Sequence, residues 1–204
     1  MKKIETIWHH ILTEAVTKGR FQHTQQELAH QFQYSLSTIY HALQVPSAMG
    51  AIRKTGKSFV LQDFKKLLYY WASVRALARD VLYAASVELP LREIEGRALP
   101  ESIYGAYTAA KKIMGEPPAD YSKVYFYLPS TSLPAFERRF PPSSKKRPAN
   151  TFVLKMIPAM ARYGPFTTLI QTFVDIWNLT DWYAHDFTQA LEARIDALLS
   201  RARH

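Results

Sequence analysis

The sequence predicts an α+β protein, because stretches with helical periodicity alternate with short runs of strand-forming residues. In residues 4–15 and 25–44, apolar side chains recur every three or four positions, as on one face of an amphipathic helix. Residues 51–61 and 123–128 instead contain short runs of Ile, Val, Phe and Tyr, which are typical of strands. The chain has 204 residues, about half of them hydrophobic, which suffices for one large domain or two small ones.

Residues 25–44, QQELAHQFQYSLSTIYHALQ, have the pattern of two short helices joined by a tight turn. Thr24, three residues before a glutamate, predicts a capping box at the first helix, and Ser35 suits the N-cap of the second. The second helix, residues 35–45, is expected to end before Pro46. Its outer face would expose mainly uncharged hydrogen-bonding side chains, as is typical of a helix that enters the major groove of DNA.

Residues 51–61, AIRKTGKSFVL, predict a β-hairpin with a basic tip. A helix over residues 4–15 and a short strand at Arg20 and Phe21 are expected before the paired helices. Three helices followed by a hairpin form a winged helix-turn-helix domain, which we assign to residues 1–62. A lone basic hairpin is more often a solvated turn, but its position directly after the paired helices favours contact with DNA.

The second half of the chain is expected to fold separately. Residues 63–85 are apolar over more than one helical stripe, so we predict a long linking helix over 63–88 and a mixed α/β domain over 89–204. The expected elements of that domain are a strand at Ile103 and Tyr104, a helix over 106–114, a strand over 123–128, a helix over 134–140, a strand over 151–157, a helix over 169–177 and a final helix capped by Thr180 or Asp181. A strand over 173–175 is the alternative to the helix over 169–177.

The composition favours an anionic partner. The 26 lysines and arginines against 17 acidic residues give a net charge of +9, which suits nucleic acid first and a membrane surface second, although solubility alone is the plain alternative. The absence of cysteine excludes disulfides and thiolate metal sites. The N-terminus lacks the apolar run of a signal peptide, and no stretch approaches the roughly 20 apolar residues of a membrane span. We therefore expect a soluble, cytoplasmic protein.

No motif predicts catalysis. The sequence has no glycine-rich phosphate loop, no nucleophile elbow and no zinc-type histidine spacing. His9 and His10 are adjacent and therefore point to different helix faces, while His23, His30 and His41 are expected to be exposed around the paired helices. The aromatic residues are expected mostly in the core rather than on a stacking platform for single strands. We expect no catalytic residue, no metal and no cofactor.

Two resemblances extend this interpretation. The first sixty or so residues resemble winged helix-turn-helix transcription regulators of bacteria and archaea, with Gln33 where the turn often has glycine. The remainder resembles the second domain of regulators related to the antitoxins of abortive-infection (type IV) toxin–antitoxin systems. The stretches that carry this second resemblance are YYWASVRALARDVLYA (69–84), IYGAYTAAKKIMGEPPADYSKVYFYLP (103–129) and QTFVDIWNLTDWYAHDFTQALEARI (171–195).

In that group the second domain looks like a degenerate nucleotidyltransferase fold. An active nucleotidyltransferase places a Gly-Ser pair at a helix start and two carboxylates on the next strand to hold magnesium ions. Here the helix starts with Gly105 and Ala106, and the strand over 124–127 has no acid, while Asp175 and Asp181 are isolated further along the chain. The resemblance therefore implies a scaffold without that catalysis, and a surviving nucleotidyltransferase is the remote alternative.

These observations together predict a sequence-specific transcription regulator that binds double-stranded DNA. A homodimer is favoured, because one recognition helix reads few base pairs. The side chains expected to contact DNA are Thr24 and Gln25 at a helix N-terminus, Ser35, Ser37, Thr38, Tyr40, His41 and Gln44 on the recognition helix, and Arg53, Lys54 and Lys57 on the hairpin. The alternative from the second resemblance is an antitoxin-like module that binds a toxin or another protein partner and autoregulates its operon.

Overall fold

The structure, a computed structural model, describes residues 1–202 and shows an α+β fold that includes a mixed sheet. The chain divides into two compact units. The first comprises Met1–Arg75 together with residues 192–202, and the second comprises Ala76–Leu191. Within residues 1–202, no helix combines the length and the apolarity needed to cross a membrane.

The first unit contains a helical layer and a small sheet. In chain order its elements are α1 (Lys3–Lys18), β1 (Gln22–Thr24), α2 (Gln25–Phe32), α3 (Leu36–Ala48), β2 (Ile52–Thr55), β3 (Ser58–Leu61) and α4 (Phe64–Val74). The three strands are antiparallel in the order β1-β3-β2, so the predicted hairpin is confirmed. The first strand lies two residues after the predicted position at Arg20 and Phe21, and Gly19 ends α1 in the left-handed conformation.

Apolar side chains from every helix of the first unit and from β3 form its core. Because α1 and α3 present an apolar residue every three or four positions, each can bury one full face against the other. The core residues with almost no exposed surface include Ile7, Trp8, Ile11, Leu12, Leu28, Ile39, Leu43, Phe59, Leu67, Leu68 and Trp71.

The prediction that the second of the paired helices ends before Pro46 is wrong, because α3 continues through this proline to Ala48. A proline has no backbone N–H, so the carbonyl of Ala42, four residues earlier, loses its usual helical partner. The indole N–H of Trp8 donates to that oxygen at 2.6 Å. A side chain of α1 thus replaces the missing bond and lets the last turn of α3 persist.

The predicted linking helix over residues 63–88 is also wrong. Helix α4 ends at Val74, a 3₁₀ turn follows, and Val81–Ala85 forms a strand, β4. The run at Val81–Ala85 is short and mostly apolar, and such a run suits a buried helix and a strand equally well, so periodicity alone could not separate them. The division between the units accordingly lies after Arg75 rather than near residue 88.

The second unit is built around a four-stranded mixed sheet. Its elements are β4, α5 (Leu91–Gly96), β5 (Ile103–Gly105), α6 (Ala106–Met114), β6 (Val124–Leu128), α7 (Leu133–Arg139), β7 (Thr151–Lys155), α8 (Leu169–Trp177) and α9 (Ala184–Ala202), whose residues from Glu192 belong to the first unit. The strand order is β4-β7-β6-β5, with β6 and β7 parallel and the outer pairs antiparallel.

Most elements of this sheet domain match the sequence predictions. Strands β5, β6 and β7 and helices α6, α7 and α8 lie within a few residues of their predicted positions. The alternative strand over residues 173–175 is wrong, because these residues lie within α8. The short helix α5 was not predicted, and α9 begins at Ala184, three residues after Asp181.

Candidate nucleic-acid interface

Helix α2 begins at the predicted cap. The hydroxyl of Thr24 accepts the backbone N–H of Glu27 at 3.1 Å, which satisfies one of the free donors at the helix N-terminus. The carboxylate of Glu27 does not complete the predicted capping box, since it accepts a hydrogen bond from the guanidinium of Arg20 at 2.6 Å. Thr24 and the next residue, Gln25, are half-buried.

A tight turn at Gln33 joins α2 to α3. Gln33 has φ of 54°, in the left-handed region that glycine usually occupies at a helix end. The backbone N–H of Tyr34 donates to the carbonyl of Ala29 at 3.0 Å, and the Gln33 side chain donates to the carbonyl of His30 at 2.7 Å. These bonds close the helix and offset part of the strain, so the turn forms without glycine.

Ser35 caps α3 as predicted. Its hydroxyl accepts the backbone N–H of Thr38 at 3.1 Å, and the two hydroxyls are 2.9 Å apart. Both side chains therefore lie at the N-terminal end of α3. Thr38 is half-buried and takes part in the cap, which gives it a local structural role beside any contact with DNA.

The outer face of α3 is the face that helical periodicity predicts. Ile39, Ala42 and Leu43 are completely buried, whereas the polar residues on the other side are exposed. The exposed residues between Ser35 and Ala48 are Ser35, Leu36, Ser37, Tyr40, His41, Gln44, Val45 and Ala48. The Nδ1 atom of His41 lies 3.2 Å from the amide oxygen of Gln44, so these two side chains are held together.

The basic hairpin lies beside this face of α3. Arg53, Lys54 and Lys57 are exposed, and the ammonium of Lys54 lies 4.8 Å from the centre of the Tyr40 ring. A cation over an aromatic face is attracted by the ring quadrupole, which favours this arrangement by roughly 0.5–1 kcal/mol at an exposed site. Strand β2 and the outer face of α3 therefore belong to one surface.

The N-terminus of α2 lies at the same end of the sheet as the hairpin tip. In the strand register Ser58 is opposite Thr24 on one side and Thr55 on the other. Gly56 and Lys57 form the turn between Thr55 and Ser58, and Gly56 has φ of 58°, which a two-residue hairpin loop requires. The structure thus places Thr24 close to the segment that carries Lys57.

His23 does not have the predicted exposure. It is almost fully buried, with its ring 6.0 Å from the ring of His10 and 5.8 Å from that of Phe59. Burial lowers the pKa of His23, and the nearby Arg20 lowers it further. His23 is the middle residue of a three-residue strand that buries one face. The predicted strand lies two residues too early, so the burial of His23 was missed. His30 and His41 are exposed as predicted.

His9 and His10 are core residues of α1. Burial, and then the neighbouring His10, lowers the pKa of His9 from its ordinary value of 6.5 to about 3. The His9 ring lies 5.8 Å from that of Trp71. These histidines pack within the unit and do not belong to its exposed surface.

Two aspartates of the second unit, Asp175 and Asp181, are engaged by neighbouring side chains. Asp175 is completely buried and accepts the hydroxyl of Tyr127 at 2.6 Å. Asp181 accepts the hydroxyl of Tyr107 at 2.8 Å and a hydrogen bond from Lys123. In the part of the chain that the structure describes, no three His, Cys, Asp or Glu side chains could hold a metal ion together.

Two tryptophans of the second unit are more exposed than their expected core position implies. Trp182 is 79% exposed and Trp177 is 47% exposed. Trp182 lies just before α9, in a segment that was predicted to belong to that helix. The later start of α9 places this ring outside the helix.

Comparisons with protein-family models, curated proteins and solved structures found no match to this chain.

Proposed function

We propose that this chain is a sequence-specific transcription regulator that binds double-stranded DNA through a winged helix-turn-helix. The observation that carries the proposal is the contact between Lys54 and the Tyr40 ring, because it joins a basic hairpin to the exposed face of a capped helix. A helix with hydrogen-bonding side chains can read base edges in the major groove, while adjacent cations neutralise phosphates. The net charge of +9 supports an anionic partner.

The parts of this surface have different roles. Helix α3 lies in the major groove with Ser37, Tyr40, His41 and Gln44 toward the bases, and Ser35 and Thr38 lie at its start. Arg53, Lys54 and Lys57 bind the sugar-phosphate backbone beside it. The N-terminus of α2, with Thr24 and Gln25, holds a phosphate at the end of the sheet where Lys57 lies.

The regulator acts as a homodimer. Helix α3 has 13 residues, and only its exposed face can reach base edges, so a single copy contacts a few base pairs. Two copies that bind half-sites one helical turn apart read enough sequence to find a site in a genome.

A salt titration of DNA binding tests the proposal. Replacing Lys57 with alanine removes one cation from the hairpin tip, so we expect weaker binding to all sequences and a salt dependence that is flatter by about one unit of log–log slope. Fluorescence anisotropy with a labelled duplex measures both quantities.

Lys66→Ala is the matched control. Lys66 is an exposed lysine on α4 whose ammonium faces the carboxylate of Asp63 at 3.7 Å, so its loss should leave the salt slope unchanged. If the wild-type chain fails to bind duplex DNA at low salt, or if both variants change the slope equally, the hairpin does not bind phosphates and the proposal is wrong.

A further inference from the structure

The face of α3 that would enter the groove carries no formally charged residue type. From Leu36 to Ala48 there is no lysine, arginine, aspartate or glutamate. In the major groove, guanine presents two acceptors that Arg and Lys bind best, and cytosine presents an amino group that Asp and Glu bind best. Helix α3 therefore lacks the side chains that most strongly select a G·C pair.

Two exposed residues of α3 suit an A·T pair instead. The amide of Gln44 can donate to N7 of adenine and accept from its N6 amino group. Leu36 is 52% exposed in the first turn of the helix and offers an apolar surface to the methyl group of thymine.

The neighbouring histidine holds Gln44 in place. His41 Nδ1 lies 3.2 Å from the amide oxygen of Gln44, and this contact uses one of the two lone pairs on that oxygen when the nitrogen carries the proton. The amino group and the second lone pair remain for a base. A side chain oriented before binding loses less conformational entropy when it meets adenine.

The spacing of Leu36 and Gln44 defines the distance between the bases they read. They are eight residues apart on α3, which corresponds to roughly 12 Å along its axis at about 1.5 Å per residue. At about 3.6 residues per turn, the two side chains project about 80° apart around that axis. At about 3.4 Å per base pair, the two contacts lie roughly three to four base pairs apart when the helix follows the groove.

The hairpin adds a second preference in the same direction. The cations of this surface, Arg53, Lys54 and Lys57, lie on the hairpin and not on α3. Runs of A·T pairs narrow the minor groove, and the stronger negative potential there attracts cations that bind the adjoining sugar-phosphate backbone. Both elements thus favour A·T-rich duplex.

We propose that this chain selects A·T-rich operators, with Leu36 against a thymine methyl group and Gln44 against an adenine about three to four base pairs away. The inference rests on the proposed function, since it names the DNA that the same surface reads. Leu36 is a specificity-determining residue in this arrangement. Because the exposed face of α3 carries no Lys, Arg, Asp or Glu, it does not strongly select G·C pairs at the positions that Leu36 and Gln44 contact.

Selection of bound DNA from a random pool tests the inference. For the full chain we expect two A·T positions about three to four base pairs apart in each half of a palindromic site. Replacing either pair with G·C should weaken binding about 5- to 150-fold. Gln44→Arg should change the preferred base at one position from adenine to guanine, and Leu36→Ala should relax the thymine preference without affecting the adenine.

Gln26→Ala, at an exposed position on α2, is the control and should select the same DNA as the wild-type chain. All three substitutions are at exposed positions, so circular dichroism and urea unfolding should match the wild type. Selected sites with G·C pairs at these positions, or a Gln44→Arg variant with unchanged preference, would overturn the inference and leave DNA binding intact. Binding without any base preference, or no binding, would overturn both proposals.

Discussion

At the scale of single residues, the buried histidines make the stability of the first unit depend on pH. His9 is buried, and its pKa is lowered to about 3, so it is neutral in the folded chain at pH 5. In the unfolded chain its pKa returns to about 6.5, so the unfolded state binds more protons below that pH. Stability therefore falls as the pH decreases from about 6.5 toward about 3, and the lowered pKa of His23 acts in the same direction.

We expect His9 alone to cost about 2 kcal/mol of unfolding free energy between pH 7 and pH 5. His9→Gln removes the titrating group, so this part of the pH dependence should disappear even if the variant is less stable at pH 7. Urea unfolding monitored by tryptophan fluorescence at both pH values measures the difference. His185→Gln, an exposed histidine of α9, should keep the wild-type pH dependence, and an identical loss in all three proteins would refute the assignment.

At the scale of secondary structure elements, the sequence predicted the elements whose positions depend on contacts between residues close together in the chain. The starts of α2 and α3 were predictable because Thr24 and Ser35 each cap a backbone N–H three residues away. Strand β4 was not, because Val81–Ala85 is a strand only through pairing with Thr151–Lys155, far along the chain. The position of the hairpin beside Tyr40 was likewise a tertiary contact that no local pattern encodes.

The end of α3 shows how one element depends on another, and it allows a double-mutant test. Trp8→Phe keeps an aromatic ring in the core but removes the donor to the buried carbonyl of Ala42, which should destabilise the chain by about 2 kcal/mol. Pro46→Ala restores a backbone N–H that can reach the same carbonyl. In the Pro46→Ala background, we expect the cost of Trp8→Phe to fall by about 1 kcal/mol.

Urea unfolding of the wild type, the two single variants and the double variant measures this coupling. Strictly additive effects would show that the indole N–H does not compensate for the missing N–H of the proline.

The same bond bears on the proposed function. Because the indole N–H of Trp8 holds α3 against α1, we expect Trp8→Phe also to weaken the proposed DNA binding, although Trp8 is buried and cannot itself contact a duplex.

At the scale of the whole molecule, the first unit is completed by the end of the chain. Glu192 and Asp196 on α9 both accept a hydrogen bond from Lys65 on α4, at 2.7 and 2.8 Å, and Glu192 also accepts the hydroxyl of Tyr69. These contacts join residues separated by more than a hundred positions. The domain assignment from sequence missed this, because nothing local in residues 192–202 indicates that they pack with α4.

Loss of this contact should therefore destabilise the first unit although the substitution lies near the end of the chain. Glu192→Gln keeps the shape of the side chain but removes its charge. Because the Lys65–Glu192 pair is partly exposed and screened by solvent, we expect the free energy of unfolding to fall by about 1 kcal/mol, the upper end of the range for such pairs.

The neighbouring lysine lowers the pKa of Glu192. The charged pair therefore stabilises the fold fully above the ordinary carboxyl pKa, and this stabilisation disappears as the pH falls through the lowered value. Urea unfolding at pH 7 measures the loss, with Glu137→Gln, an exposed carboxylate on α7, as the matched control. Equal stability of the two variants would show that the charge of Glu192 does not stabilise the first unit.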